Sequence, residues 1–133
     1  MRPPAPQRPA AVELATAILI VGSLANLVGT LGGGTSIGGR ATPGPIVLGS
    51  VLLDTMLVVI GVAVRTGRWW SGASNVVAVV VFLYGTAALG SGLSEIPLVF
   101  SVLYGVVFLA VFLNRAWFDA MRSWRDRGHG RRP

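Results

Sequence analysis

The stretch Ile46 to Val64, IVLGSVLLDTMLVVIGVAV, decides how the rest of the chain is read. Twelve of its nineteen residues are Leu, Ile or Val. Near a helix centre each of these favours membrane insertion by roughly 0.3–0.6 kcal/mol, which together outweighs the roughly 2.5–3.5 kcal/mol that an aspartate costs there. As a helix rising 1.5 Å per residue the stretch is about 29 Å long, close to the thickness of a bilayer's hydrocarbon core. It is predicted to be a transmembrane helix with Asp54 near its middle. An acid at that depth has to face other protein or a water-filled cavity, because lipid offers it no partner. Asp54 is therefore the first candidate functional residue.

The composition of the whole chain agrees. Of 133 residues, 53% are hydrophobic and 12% charged, with a mean hydropathy of +0.69, too apolar for a soluble domain of this size. There is no cysteine, which removes disulfides, thiolate metal sites and cysteine nucleophiles. All eleven basic residues are arginines, and beside much Ala, Gly, Val and Pro this points to a GC-rich bacterial genome.

Three more spans follow the same logic. Residues 1–10, MRPPAPQRPA, hold four prolines and two arginines and read as a disordered cytoplasmic arm. The transmembrane domain is then 11–113, with spans at about 12–31, 46–64, 73–89 and 96–113, followed by a tail at 114–133. Two arginines ahead of Val12 invite a signal-peptide reading. The apolar run is longer than a usual signal core, however, and no small-x-small cleavage site follows it, so it reads as a retained helix. Ala25, Gly29 and Gly33 lie four apart, a small-residue face along which another helix can approach. Gly32 to Pro45, GGGTSIGGRATPGP, is too rich in Gly and Pro for a helix and reads as the outer connector. Its Gly38-Gly39-Arg40 lacks the Gly-Lys-Ser/Thr of a phosphate-binding loop. Arg65 to Gly72, RTGRWWSG, is a short turn whose cations, with Trp69 and Trp70, mark a membrane interface. The six-residue turn Gly90 to Glu95 forces its two helices antiparallel. The expected fold is all-α: four transmembrane helices as two antiparallel hairpins, then a C-terminal cytoplasmic amphipathic helix.

Charge gives the expected threading. Ten of the eleven arginines lie in the N-terminal arm, the second loop and the tail, and only Arg40 lies in the first loop. By the positive-inside rule both termini and the middle turn face the cytoplasm, and the protein belongs in the bacterial cytoplasmic (inner) membrane. The asymmetry argues against the dual topology of small multidrug exporters and fluoride channels, which have comparable size and helix number. The exporters' acid lies in their first span, and the fluoride channels' Asn-x-x-Gly-x-Phe signature is absent here.

With that orientation, depth below the outer face follows from 1.5 Å per residue: Asn26 and Tyr84 at roughly 8 Å, Asp54 and Tyr104 at about 12 Å. Each of the four helices thus contributes one polar group to a single layer, with Thr55, Thr86 and Ser101 near enough to join. A carboxyl, a carboxamide and two phenols turned inward can satisfy one another. Two readings follow. Asp54, Asn26, Tyr84 and Tyr104 form a proton- or ligand-binding pocket, or they are interhelical joints that fix register at about 0.6–2 kcal/mol per contact. One acid without a second titrating partner favours the joint. Glu13 is not that partner, since it lies at the cytoplasmic end, where Arg65, Arg68 or Arg115 is its expected ion-pair partner.

The tail Asn114 to Arg127, NRAWFDAMRSWRDR, sets Trp117, Met121 and Trp124 at helical spacing, with Arg115, Arg122 and Arg125 largely elsewhere around the turn. It reads as a juxtamembrane helix with its tryptophans in the headgroup region and its arginines on anionic lipid headgroups. The final GHGRRP reads as disordered. His129 is the one histidine and has no neighbouring ligands, so no metal site is expected. Arginines beside a cytoplasmic helix end are what threading alone predicts, so no nucleic-acid partner is expected either. There are no paired carboxylates and no nucleophile joined to a base, so the chain reads as no enzyme and needs no cofactor. The expected role is structural or accessory: a subunit of a larger membrane complex, or a bundle that associates with itself. The alternative is a small transporter or channel-like protein with a proton- or cation-binding site at Asp54, which also implies a homo-oligomer because four helices enclose little volume.

Overall fold

Pro9, extended at φ −64° and ψ 142°, ends the N-terminal arm, and its carbonyl accepts the first helical hydrogen bonds from the Val12 and Glu13 amides. From there the chain is helical almost throughout. A computed structural model describes residues 4–32, 36–37, 40–41, 44–90 and 95–129. Helix α1 is Ala10–Leu31, α2 is Gly44–Arg65, α3 is Trp70–Gly90, α4 is Glu95–Leu113 and α5 is Arg115–His129. Between α1 and α2, strands β1 (Ser36–Ile37) and β2 (Arg40–Ala41) pair antiparallel over two residues each, so part of the expected plain connector is a short ladder. Gly33, Gly38 and Gly39, which carried the small-residue face and the loop comparison, lie outside the described residues, as do most of the turn before Glu95 and residues 130–133.

Each helix starts one to three residues before its apolar run. Ala10 and Ala11 favour helix, and Pro45 suits a first turn because the amide it lacks has no partner there. α5 runs on to His129, two residues into the stretch expected to be disordered. Three helices are long and apolar enough to cross a membrane, or four if α4 and α5, bent by 53° at Asn114, count as one span. Asn114 makes the bend: its side chain takes the Ala110 carbonyl left over at the end of α4, and its own carbonyl starts α5.

Buried side chains form one narrow stripe per helix: Val12, Ala15 and Leu19; Leu57, Ile60 and Val64; Ala73, Val77 and Val80; Tyr104, Val107 and Val111. The opposite faces are as apolar as the core, with Val28, Leu52, Phe82 and Leu113 more than 60% exposed. Helices that are hydrophobic all round belong in a membrane or inside a larger protein, and the distribution is consistent with a membrane protein. α3 and α4 share the broadest contact, α1 packs on both α2 and α4, and α2 meets α3 only lightly. The α1–α2 register is antiparallel, because Leu19 and Ile20 face Gly61 while Asn26 faces Asp54.

Ile18–Gly22 is a π-helical turn, wider than an α-turn, and its residues Leu19 and Ile20 pack against Gly61 of α2. Gly61 makes room for it: a β-carbon there would stand 2.7 Å from Ile20 Cγ1 and 3.1 Å from Leu19 Cβ. Around Gly29 nothing lies within 4 Å of that position. Gly61→Val is therefore expected to destabilise the detergent-solubilised protein by about 1–3 kcal/mol, read as a lowered thermal midpoint, while Gly29→Val leaves the midpoint unchanged.

Candidate functional site

The polar side chains on the four long helices meet at one level. Asn26 Nδ2 on α1 donates to Asp54 Oδ2 on α2 at 2.8 Å, and Asp54 is 3% exposed. Ser50, one turn earlier on α2, adds a hydroxyl to the surroundings of the carboxyl. On α1, fully buried Ser23 lies beside the Tyr104 phenol of α4, without the geometry of a formed hydrogen bond. Tyr104 in turn stacks on Tyr84 of α3, ring centroids 6.0 Å apart and planes 10° apart, with Phe100 at 5.3 Å from Tyr84. The series Asp54, Asn26, Ser23, Tyr104, Tyr84 thus crosses the bundle in the order in which the helices touch. The structure brings all four candidate residues into it.

Other expected members are elsewhere. Thr55 and Thr86 are exposed and turn their hydroxyls to their own helix, on Val51 and on Phe82 and Leu83. Ser101 bridges helices instead, donating to the Val81 carbonyl at 3.3 Å. Two residues are additions, Ser23 and Thr16, both buried hydroxyls with no hydrogen-bond partner among the described residues. The sequence held a signal for them: Thr16, Ser23 and Asn26 are spaced by seven and three, which puts them on one face of an otherwise apolar helix.

The expected interface residues fall into two groups. Trp69 and Arg122 are exposed, and Trp69 is held at φ 55°. Trp70 is partly buried against the core, and Trp124 is half-buried. Trp117 corrects the expectation of a headgroup position. It is only 9% exposed, its indole N–H reaches the Pro6 carbonyl at 3.4 Å, and it packs with Met121 over Gly67. The apolar stripe of α5 is covered by the chain's own turn and arm. Arg125 is also turned inward, donating to the Thr66 and Gly67 carbonyls at 2.7 Å each. Glu13 pairs with Arg8 rather than Arg65, Arg68 or Arg115, because the arm folds back beside the first turn of α1.

Among the described residues no group of three His, Asp or Glu could hold a metal ion. The chain matches no protein-family profile, and no curated protein or solved structure is significantly similar to it.

The Asn26–Asp54 contact can be weighed directly. In a double-mutant cycle with Asn26→Ala and Asp54→Ala, the unfolding free energies are expected to show a coupling of about 0.6–1.7 kcal/mol, whereas Asn26→Ala paired with Thr86→Ala shows none.

Proposed function

We propose that the chain is a small polytopic protein of the bacterial cytoplasmic membrane, with four spans and both termini inside, that acts as a structural or accessory component. It has no catalysis of its own, and it works by associating with another membrane protein or with further copies of itself. The observation that carries this reading is the Asn26–Asp54 hydrogen bond: the acid set in the middle of a span is already occupied by a carboxamide from the neighbouring helix. That is what a helix joint requires. The arginine distribution supports the threading, and the exposed small-residue positions Ala25 and Gly29 leave a face on α1 open to a second helix. The native particle, extracted with a mild polymer and weighed intact, is expected to contain either a second polypeptide at fixed stoichiometry or several copies of this chain. A lone monomer contradicts the reading.

A second reading, a proton- or cation-binding site at Asp54, draws support from Thr16 and Ser23, buried hydroxyls without partners among the described residues, which line α1 on the same face as Asn26. Buried polar atoms left unsatisfied occur at working sites and at unseen water or ion positions. Asp54→Asn separates the two. For a joint, the isosteric amide keeps the particle intact and its thermal midpoint within about 1 kcal/mol of the parent. For a binding site, the parent releases protons into a weakly buffered solution on addition of its cation, and the variant does not.

A further inference from the structure

The end of the bundle where α2 passes into α3 holds a cavity of about 240 Å³, lined by Gly67, Arg68, Trp69, Trp70, Phe118, Arg122 and Arg125. Its formation is traceable residue by residue. α2 ends in a paired-bond cap: Gly67, at φ 69°, donates to Val64, and Arg68 donates to Ala63. Arg125 then takes the next two carbonyls, so its guanidinium serves as the floor that ties α5 to the turn. Arg68 and Arg122 differ from it. Both are exposed, both line the cavity, and neither guanidinium has an ion pair or hydrogen bond among the described residues, although Asp119 and Asp126 stand on the same helix as Arg122. Trp69 completes the rim with a backbone at φ 55°, in the left-handed region that a bulky residue rarely adopts and that persists only where the surroundings hold it.

We propose that this cavity is a stoichiometric site for a phosphate group, gripped by Arg68 and Arg122 and flanked by the Trp69 and Trp70 indoles. Two exposed arginines lining one cavity offer the forked donors that phosphate oxygens accept in pairs. The cavity is smaller than the roughly 300–1,000 Å³ of drug-sized sites, which suits one headgroup rather than an extended ligand. Tryptophans and arginines together set it at the depth of lipid phosphates, so the inference rests on the membrane reading above. The phosphate has two possible sources, a lipid headgroup or a soluble phosphate.

The test is native mass spectrometry of the full chain with phosphatidylglycerol, with phosphatidylcholine and with inorganic phosphate. One phosphatidylglycerol per chain is expected to be retained in preference to phosphatidylcholine. The R68Q/R122Q double variant is expected to weaken retention about thirtyfold, the product of two arginine contacts. R127Q, exposed on α5 outside the cavity, leaves it unchanged. If R127Q weakens retention as much as the double variant, attraction is diffuse and the site is overturned. Displacement of the lipid by inorganic phosphate assigns the site to phosphate from either source, and resistance to displacement assigns it to lipid. Release of the chain from its native membrane by alkaline extraction defeats the membrane reading itself. A chain that resists extraction but retains no lipid overturns the site alone.

Discussion

A carboxyl set in an apolar helix must find its partner within the protein, and the Asn26–Asp54 hydrogen bond meets that requirement. Seven residues along α2, Gly61 receives the π-helical turn of α1. One contact is polar and the other steric, and between them they fix α1 on α2 at two heights. A slip of one turn, about 5.4 Å, would part the acid from its amide and bring Ile20 against a side chain instead of a glycine. The remaining helices are placed from α1: Ser23 lies beside Tyr104 on α4, and Tyr104 stacks on Tyr84 of α3. Because α2 and α3 meet only lightly, α1 is the element through which the two halves of the bundle are joined.

The other end of the molecule is held by backbone chemistry. The carbonyls that close α2 are met first by the amides of Gly67 and Arg68 and then by Arg125, a cation at a helix C-terminus where the macrodipole favours it. That guanidinium, with Trp117 and Met121 packed on Gly67, folds α5 back onto the turn at Arg65–Trp70. The N-terminal arm joins the same cluster through Pro6 and Trp117. Three segments far apart in sequence therefore meet where the arginines are densest, and the surplus cations Arg68 and Arg122 are left facing outward.

Much of this was legible in the sequence. Hydropathy located the helices, because runs such as Ile46 to Val64 are long enough and apolar enough to admit one reading. The convergence of Asn26, Asp54, Tyr84 and Tyr104 followed from counting residues along antiparallel helices, a calculation that needs only rise and direction. The features that escaped depend on which faces meet. Helices that are apolar all round carry little rotational signal, so nothing marked Gly61 as the close-packed glycine or Gly29 as the open one. A different limit hid the burial of Trp117: α5 has a clear apolar stripe, but its spacing suits a lipid-facing stripe as well as a protein-facing one. Counting along the helices points Glu13 to Arg65, Arg68 or Arg115, whereas the arm turns back and brings Arg8, five residues away, beside it.

On this account the polar layer lies within a bilayer and the arginine-rich end lies in the cytoplasm. Because the chain has no cysteine, single-cysteine labelling reads that claim without background. Intact cells carrying Ser36→Cys, between α1 and α2, or Arg127→Cys, on α5, are treated with a maleimide that does not cross membranes. Ser36→Cys is expected to be labelled at once, and Arg127→Cys only after the cells are opened. Labelling of Arg127→Cys in intact cells, or protection of Ser36→Cys, would contradict it.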